Sequence, residues 1–348
     1  MHALVTAVLP ARFALAWLLP LSVGIAAWYS PWAAWATMTS IQVGLAVAER
    51  CPALRRSPPA LAQTSLWYSL CLRAHVPLQL GLLSLGLWLT ATQGYGAWAM
   101  LALGVAVGGV TGGQGITFAH ELGHSKNRVD RALAWLLMST VNYSHFMVEH
   151  YRGHHPRAAT EDDPASARRG ESLWRFLPRT LTGSFLSAWR LEAQQWRQLK
   201  RSAWRSSLVW ASVAQVTWLV AIAAWLGPLA LCFWLVQSVY AVFQLESINY
   251  IEHYGLRRGM HQGKRDAFGL HHAWNADHWL TNCFTANLQR HSDHHMHAWK
   301  PYPTLEALPG PQLPTGYTGC LFLVLMPKRW FAVMHPRLLA LDAVLAKA

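Results

Sequence analysis

Residues 96–124 read GAWAMLALGVAVGGVTGGQGITFAHELGH, and two features of this stretch decide the fold. Residues 96–119 contain no charged side chain, and the run exceeds the roughly 20 residues an α-helix needs to cross a bilayer. At its end it meets His120, Glu121 and His124, where a four-residue spacing sets both imidazoles on one helix face.

Five further apolar runs lie on either side, at about 11–30, 31–48, 73–93, 207–227 and 228–250. With 96–119 they predict an all-α integral membrane protein of about six spans, folded as a single domain over 1–348. Composition agrees, with 53% hydrophobic residues, 13% charged residues and 20 Trp in 348 residues. A removable signal peptide explains the first run poorly, because a second run follows at once with no clear small-residue cleavage site.

The basic residues set the topology. Threaded from a cytoplasmic N-terminus, the outer loops fall at 29–33, 91–97 and 226–228, and none carries Lys or Arg. All 29 basic residues lie on the inner side or at inner span ends, beginning with Arg12, Arg50, Arg55, Arg56 and Arg73. This asymmetry predicts a bacterial inner-membrane protein with both termini, and the long segments 120–206 and 250–348, in the cytoplasm. The net charge of +13 suits anionic lipid headgroups and also an acidic electron-transfer protein. Nucleic-acid binding is excluded, since the charges follow membrane boundaries and no recognition motif accompanies them.

Between the spans, residues 49–65 read as a polar linker and 132–148 as a helix near the membrane surface. Residues 161–164 (EDDP) form a turn, and 173–205 a basic amphipathic helix rich in Trp and Arg. The run 321–326 is too short to span and reads as buried or interfacial. The five cysteines form no CxxC pair, so the chain carries no iron–sulfur or zinc-ribbon module of its own. Electrons, where a reaction needs them, come from another protein.

Nine of the 18 His residues fall into four compact groups beside the inner span ends. These are His120 and His124; His150, His154 and His155; His253; and His291, His294 and His295. Imidazole ligates iron, zinc, copper or nickel, and nine imidazoles are too many for one ion, so two metals are implied. Glu121, Glu149, Glu252 and Asp293 each stand beside one of these histidines. A metal-bound His hands its second ring N–H to a carboxylate or carbonyl, so the four acids read as orienters, with direct ligation the other reading. Of the rest, His145, His271, His272 and His278 are candidates for outer support. His2, His75, His261, His297 and His335 read as surface or interfacial. The glycines Gly108, Gly109, Gly112 and Gly113 read either as close helix packing or, with Trp and Leu, as the lining of a channel.

The blocks HELGHSKN (120–127), EHYRGHH (149–155), NYIEHYGL (249–256) and LQRHSDHH (288–295) resemble the signature of the bacterial membrane-bound alkane hydroxylases, within the wider class of integral-membrane desaturases and hydroxylases. The resemblance continues through HHAWNADH (271–278), YPTLEALPGPQLPTGY (302–317) and WFAVMHPR (330–337). It implies two irons held by the nine histidines. It also implies O2 as co-substrate, terminal hydroxylation of medium-chain alkanes, and electrons from a rubredoxin with its reductase. One departure is Ser125, where the family pattern carries Lys; Lys126 follows at once.

Three rivals remain on sequence grounds. Methyl-group monooxygenases acting on xylene or cymene, and fatty-acyl hydroxylases, share the His-box plan. The run His120-Glu121-Leu122-Gly123-His124 also fits the HExxH pattern of zinc metalloproteases, with Glu as general base. A metal transporter is the third, but transporters place ionisable groups near the membrane midplane, and these spans are almost free of charge.

Overall fold

A computed structural model describes residues 11–261 and 263–346; His2 lies outside them, as does the side chain of His261. Five helices have the length and apolarity to cross a membrane: α1 (Arg12–Tyr29), α3 (Leu66–Thr92), α4 (Ala97–His124), α8 (Ser207–Leu226) and α9 (Pro228–His253). The expected run at 31–48 forms α2 (Pro31–Ala48). Its Thr37, Thr39, Ser40 and Gln42 leave it less apolar than the other five. The fourth span does not end at 119. It runs on to His124 without a break, so His120 and His124 sit on the last turns of a membrane helix.

Helix boundaries follow local chemistry. Ser30 caps α2 by accepting the Trp32 N–H, with Pro31 in the first turn. Ser206 caps α8 in the same way. Gly227, at φ +86°, makes the sharp turn into Pro228 and α9. The apolar stretch expected as one helix over 132–148 is broken. Helix α5 (Arg128–Thr140) stops where Asn142 turns left-handed at φ +53°. Helix α6 then covers residues 146–157, with a π-helical centre at Glu149–His154. The amphipathic helix α7 (Leu173–Gln198) ends before the expected 205, at Lys200 with φ +49°. The C-terminal segment adds α10 (Trp279–Phe284), α11 (His291–Met296), α12 (Tyr317–Val324) and α13 (Pro327–Leu345). A two-stranded hairpin, Met260–His261 with Lys264–Arg265, precedes them.

Lipid offers no hydrophobic drive for helices to associate, so contact depends on close packing. Helices α4 and α9 achieve it through glycine. A Cβ placed on Gly108 would lie 2.7 Å from the Gln237 carbonyl oxygen, and one on Gly112 2.7 Å from the Ala241 Cα. Both helices end at the histidines, so this contact sets the relative height of His120, His124 and His253.

The supposed linker 49–65 is fastened to the C-terminal segment. Glu49 is buried, and its carboxylate accepts N–H from Thr318 and Gly319 at the start of α12 and hydroxyls from Thr281 and Thr315. Arg290, immediately before α11, is buried and donates to Asp277 and to the Leu305 and Pro58 carbonyls.

Gly108→Ala and Gly112→Ala are each expected to cost about 1–3 kcal/mol through overpacking and to lower the thermal unfolding midpoint in detergent. Gly81→Ala, where a Cβ meets nothing within 4 Å, is the control and should be neutral or mildly stabilising. Equal midpoints for all three variants would disprove the close α4–α9 contact.

Candidate metal centre

Helix α4 brings His120 and His124, α6 brings His150, His154 and His155, α9 ends on His253, and α11 brings His291, His294 and His295. All nine converge. Ring nitrogens of His120, His124, His150, His155 and His294 lie within 4.8 Å of one another, and those of His154, His253, His291 and His295 do likewise. The groups adjoin, with the rings of His155 and His295 4.4 Å apart.

The partition differs from a reading by α-helical spacing, which puts His150 and His154 together. The chain at Glu149–His154 is π-helical, and its i→i+5 hydrogen bonding aligns residues five apart. His150 and His155 therefore share a group, with Nε2 atoms 3.0 Å apart, while His154 joins the other. Gly153 permits the turn, since a Cβ there would lie 2.5 Å from the Glu149 carboxyl. In α11 the i, i+4 pair His291 and His295 stays in one group, and His294 crosses to the other.

The residues fit a metal. Nε2 atoms of His120 and His294 approach to 2.9 Å, and those of His253 and His291 to 3.3 Å. Nε2 of His124 and both ring nitrogens of His295 are buried with no hydrogen-bond partner among the described residues. Burial, then the neighbouring imidazoles, pushes the proton affinities of His150, His155, His291 and His295 well down, and that of His294 to about 3. These rings are neutral with lone pairs facing one another, which is a ligand set and a poor hydrogen-bond network.

Outer contacts fix several rings from behind. Nδ1 of His154 lies 2.9 Å from Asp163, whose carboxylate also accepts the Ser166 hydroxyl and the Ala165 N–H. Burial opposes ionisation of Asp163, but His154 and these donors hold its pKa down at about 2. The same carboxylate raises His154 against the effect of burial. Nδ1 of His253 is 3.2 Å from the His272 carbonyl. Nδ1 of His291 is 3.3 Å from Glu252, and Glu252 accepts the Tyr317 hydroxyl at 2.6 Å.

Of the four acids named from sequence, only Glu252 has a recorded polar contact with one of the nine rings. Glu121 accepts the Tyr302 N–H, Glu149 pairs with Arg157, and Asp293 binds Lys300 and His297. Consecutive helix residues point about 100° apart, so an acid beside a His in sequence usually faces elsewhere. Sequence reasoning missed Asp163 and Tyr317; the EDDP run flagged only a turn. His75 is also corrected. It is buried within α3, bonded to Gln79 at 3.0 Å, and is not interfacial. His335 meets the Tyr254 hydroxyl, and His278 meets Gln289.

An apolar cavity of about 100 Å³ reaches His120. Met38, Ile41 and Leu45 of α2 line it, with Gly109, Gly112 and Gly113 of α4, Leu245 and Ile248 of α9, and Phe284 and Leu288. The four glycines thus divide between the two expected roles. Gly108 serves packing, Gly113 lines the cavity, and Gly109, against Met38, and Gly112, against Ala241, do both. Among the described residues no Trp lines it, contrary to expectation; the most exposed indoles, such as Trp98 and Trp225, face outward.

Comparison with known proteins agrees with this architecture. The fatty acid desaturase family model matches residues 96–335. Alkane 1-monooxygenase 2 of Pseudomonas aeruginosa is 40% identical over 279 residues, covering 79% of this chain and 74% of that protein. Alkane 1-monooxygenase of Pseudomonas putida is 37% identical, covering 75% and 66%. The xylene/toluene monooxygenase hydroxylase component of Pseudomonas putida is more distant, at 29% identity over 62% and 58%. The chain belongs to the fatty acid desaturase family of membrane proteins and, within it, to the alkane 1-monooxygenases.

Proposed function

We propose that this monooxygenase hydroxylates the terminal carbon of medium-chain alkanes to primary alcohols at a di-iron centre on the cytoplasmic side of the bacterial inner membrane. The observation that carries the reading is an apolar cavity ending at His120, a member of one of two adjacent convergent histidine groups. His120, His124, His150, His155 and His294 would hold one iron, and His154, His253, His291 and His295 the other.

A terminal C–H has no acidic proton and no leaving group, so side-chain acid–base or nucleophilic chemistry cannot attack it. Two irons supply the O2 activation that such a bond requires. The chain's own residues bind, orient and exclude water. Ile41, Leu45, Leu245 and Phe284 hold an alkyl chain by contact alone. Asp163 and the His272 carbonyl keep two rings in the tautomer that presents Nε2 inward.

Each turnover consumes one O2, two electrons and two protons, and releases the alcohol and one water. The absence of a CxxC pair supports a separate electron donor, and a rubredoxin with its reductase is the proposed one. The names of the relatives support the alkane substrate. The zinc-protease alternative is disfavoured, because Glu121 accepts the Tyr302 N–H and, even with one more histidine as the third zinc ligand, six of the nine would be left without a role.

Expressed with a rubredoxin and its reductase in a host that does not oxidise hydrocarbons, the chain should convert n-alkanes to 1-alkanols, detected by gas chromatography. The purified protein should carry two irons. Benzylic alcohols from p-xylene or p-cymene without alkane turnover would move the substrate to alkyl-aromatics. One zinc per chain would overturn the oxygenase reading.

Asp163→Asn should weaken iron binding about 10–100-fold, the usual effect of losing such an outer partner, measured as iron retained against a chelator. Asp162→Asn, on a largely exposed neighbour, should match wild type. Equal retention in both variants would remove Asp163 from the support of His154.

A further inference from the structure

Helix α2 ends at Ala48, and beyond that end lies a cleft of about 770 Å³. Arg50, Arg55 and Arg56 line it together with Leu308, Leu313 and Leu323. All three arginines are exposed. Among the described residues no hydrogen bond or ion pair engages their guanidinium groups.

The two carboxylates in the cleft are already committed elsewhere. Glu49 is buried and accepts from Thr281, Thr315, Thr318 and Gly319. Asp277 accepts from Arg290, Asn282 and the Ser57 N–H. Three like charges therefore share one cleft without a counter-charge, and an anion between them relieves their repulsion. Guanidinium is the side-chain group best matched to phosphate, which it binds through paired N–H donors.

The position of the cleft selects the carrier of that phosphate. Val43 and Val47 stand four residues apart on α2, hence on one face, and they are 46% and 62% exposed. Arg50 follows Val47 within one helical turn. An apolar strip on a membrane helix thus leads directly to the first cation. An acidic protein surface would use the cations and leave the strip idle, whereas a phospholipid uses both. We infer that this cleft binds an anionic phospholipid, its phosphate held by Arg50, Arg55 and Arg56 and an acyl chain lying along Val43 and Val47.

The test is native mass spectrometry of the full-length chain in detergent, titrated with dioleoylphosphatidylglycerol, dioleoylphosphatidylcholine or inorganic phosphate. Wild type should retain one phosphatidylglycerol more tightly than phosphatidylcholine, whose choline cation the arginines repel. In Arg50→Gln/Arg55→Gln/Arg56→Gln the phosphatidylglycerol affinity should fall about 100-fold, at about fivefold per arginine. Arg197→Gln/Lys200→Gln/Arg201→Gln removes the same charge from another exposed site and should change the affinity little.

Equal retention of the two lipids by wild type would overturn the inference, and so would equal losses in the two triple variants. Inorganic phosphate bound as tightly as phosphatidylglycerol would make the ligand a free ion and not a lipid. Unchanged lipid affinity in the cleft variant, with a raised Michaelis constant for the electron donor, would assign the cleft to an acidic protein. The lipid titrations involve no turnover, so their failure leaves the proposed hydroxylation untouched.

Discussion

Nine imidazoles with converging nitrogens form an arrangement that a protein interior resists. A neutral ring has one donor and one acceptor, so rings crowded nitrogen to nitrogen cannot all be satisfied by each other, and burial makes protonation costly. Such a cluster needs restraint from behind. Asp163 supplies it for His154 and the His272 carbonyl for His253, while Glu252, which accepts the Tyr317 hydroxyl, stands 3.3 Å from His291 Nδ1. The restraint extends outward, because Tyr317 stands at the start of α12 and that helix terminus is gripped by Glu49 from the end of α2. A carboxylate 71 residues before His120 thus helps hold the wall of the site.

The same requirement explains the close contact of α4 and α9. Each helix carries ligand candidates on its last turns, one set for each histidine group. A sliding of one helix past the other would separate His253 from the level of His120 and His124. At Gly108 and Gly112 the two backbones approach directly, with little side-chain padding to absorb such a shift. Rigidity here comes from small residues, as it commonly does where lipid supplies no hydrophobic drive.

Much of this was legible in the chain. The apolar runs announced the helices, and the grouping of the histidines announced side chains that converge as candidate metal ligands, because each rests on local periodicity. What escaped depends on departures from that periodicity or on tertiary partners. The i, i+4 spacing of His150 and His154 suggested a shared face, and the π turn at Glu149–His154 undid it. The acids beside the histidines looked like orienters, yet three of the four have recorded partners elsewhere. Asp163, which does support a ring, lay in a stretch whose composition signalled only a turn. Glu49 looked solvated because a linker rich in Arg and Pro hides the one carboxylate that folding buries.

The cavity brings these strands together. A linear hydrocarbon offers no hydrogen bond, no charge and no dipole, so nothing on it can be gripped directionally. Selecting its end carbon must then be a matter of shape. Met38 packs directly on the side-chain-free surface of Gly109, while Ile41, Leu45 and Gly113 line the apolar cavity beside α4. That helix runs on through Thr117 to His120, so the axis that guides the chain also carries the ligands. Under the proposed activity, the rod that aligns the substrate and the rod that positions the metal are one helix. Under that activity the two alignments are fixed together when α4 packs against α9.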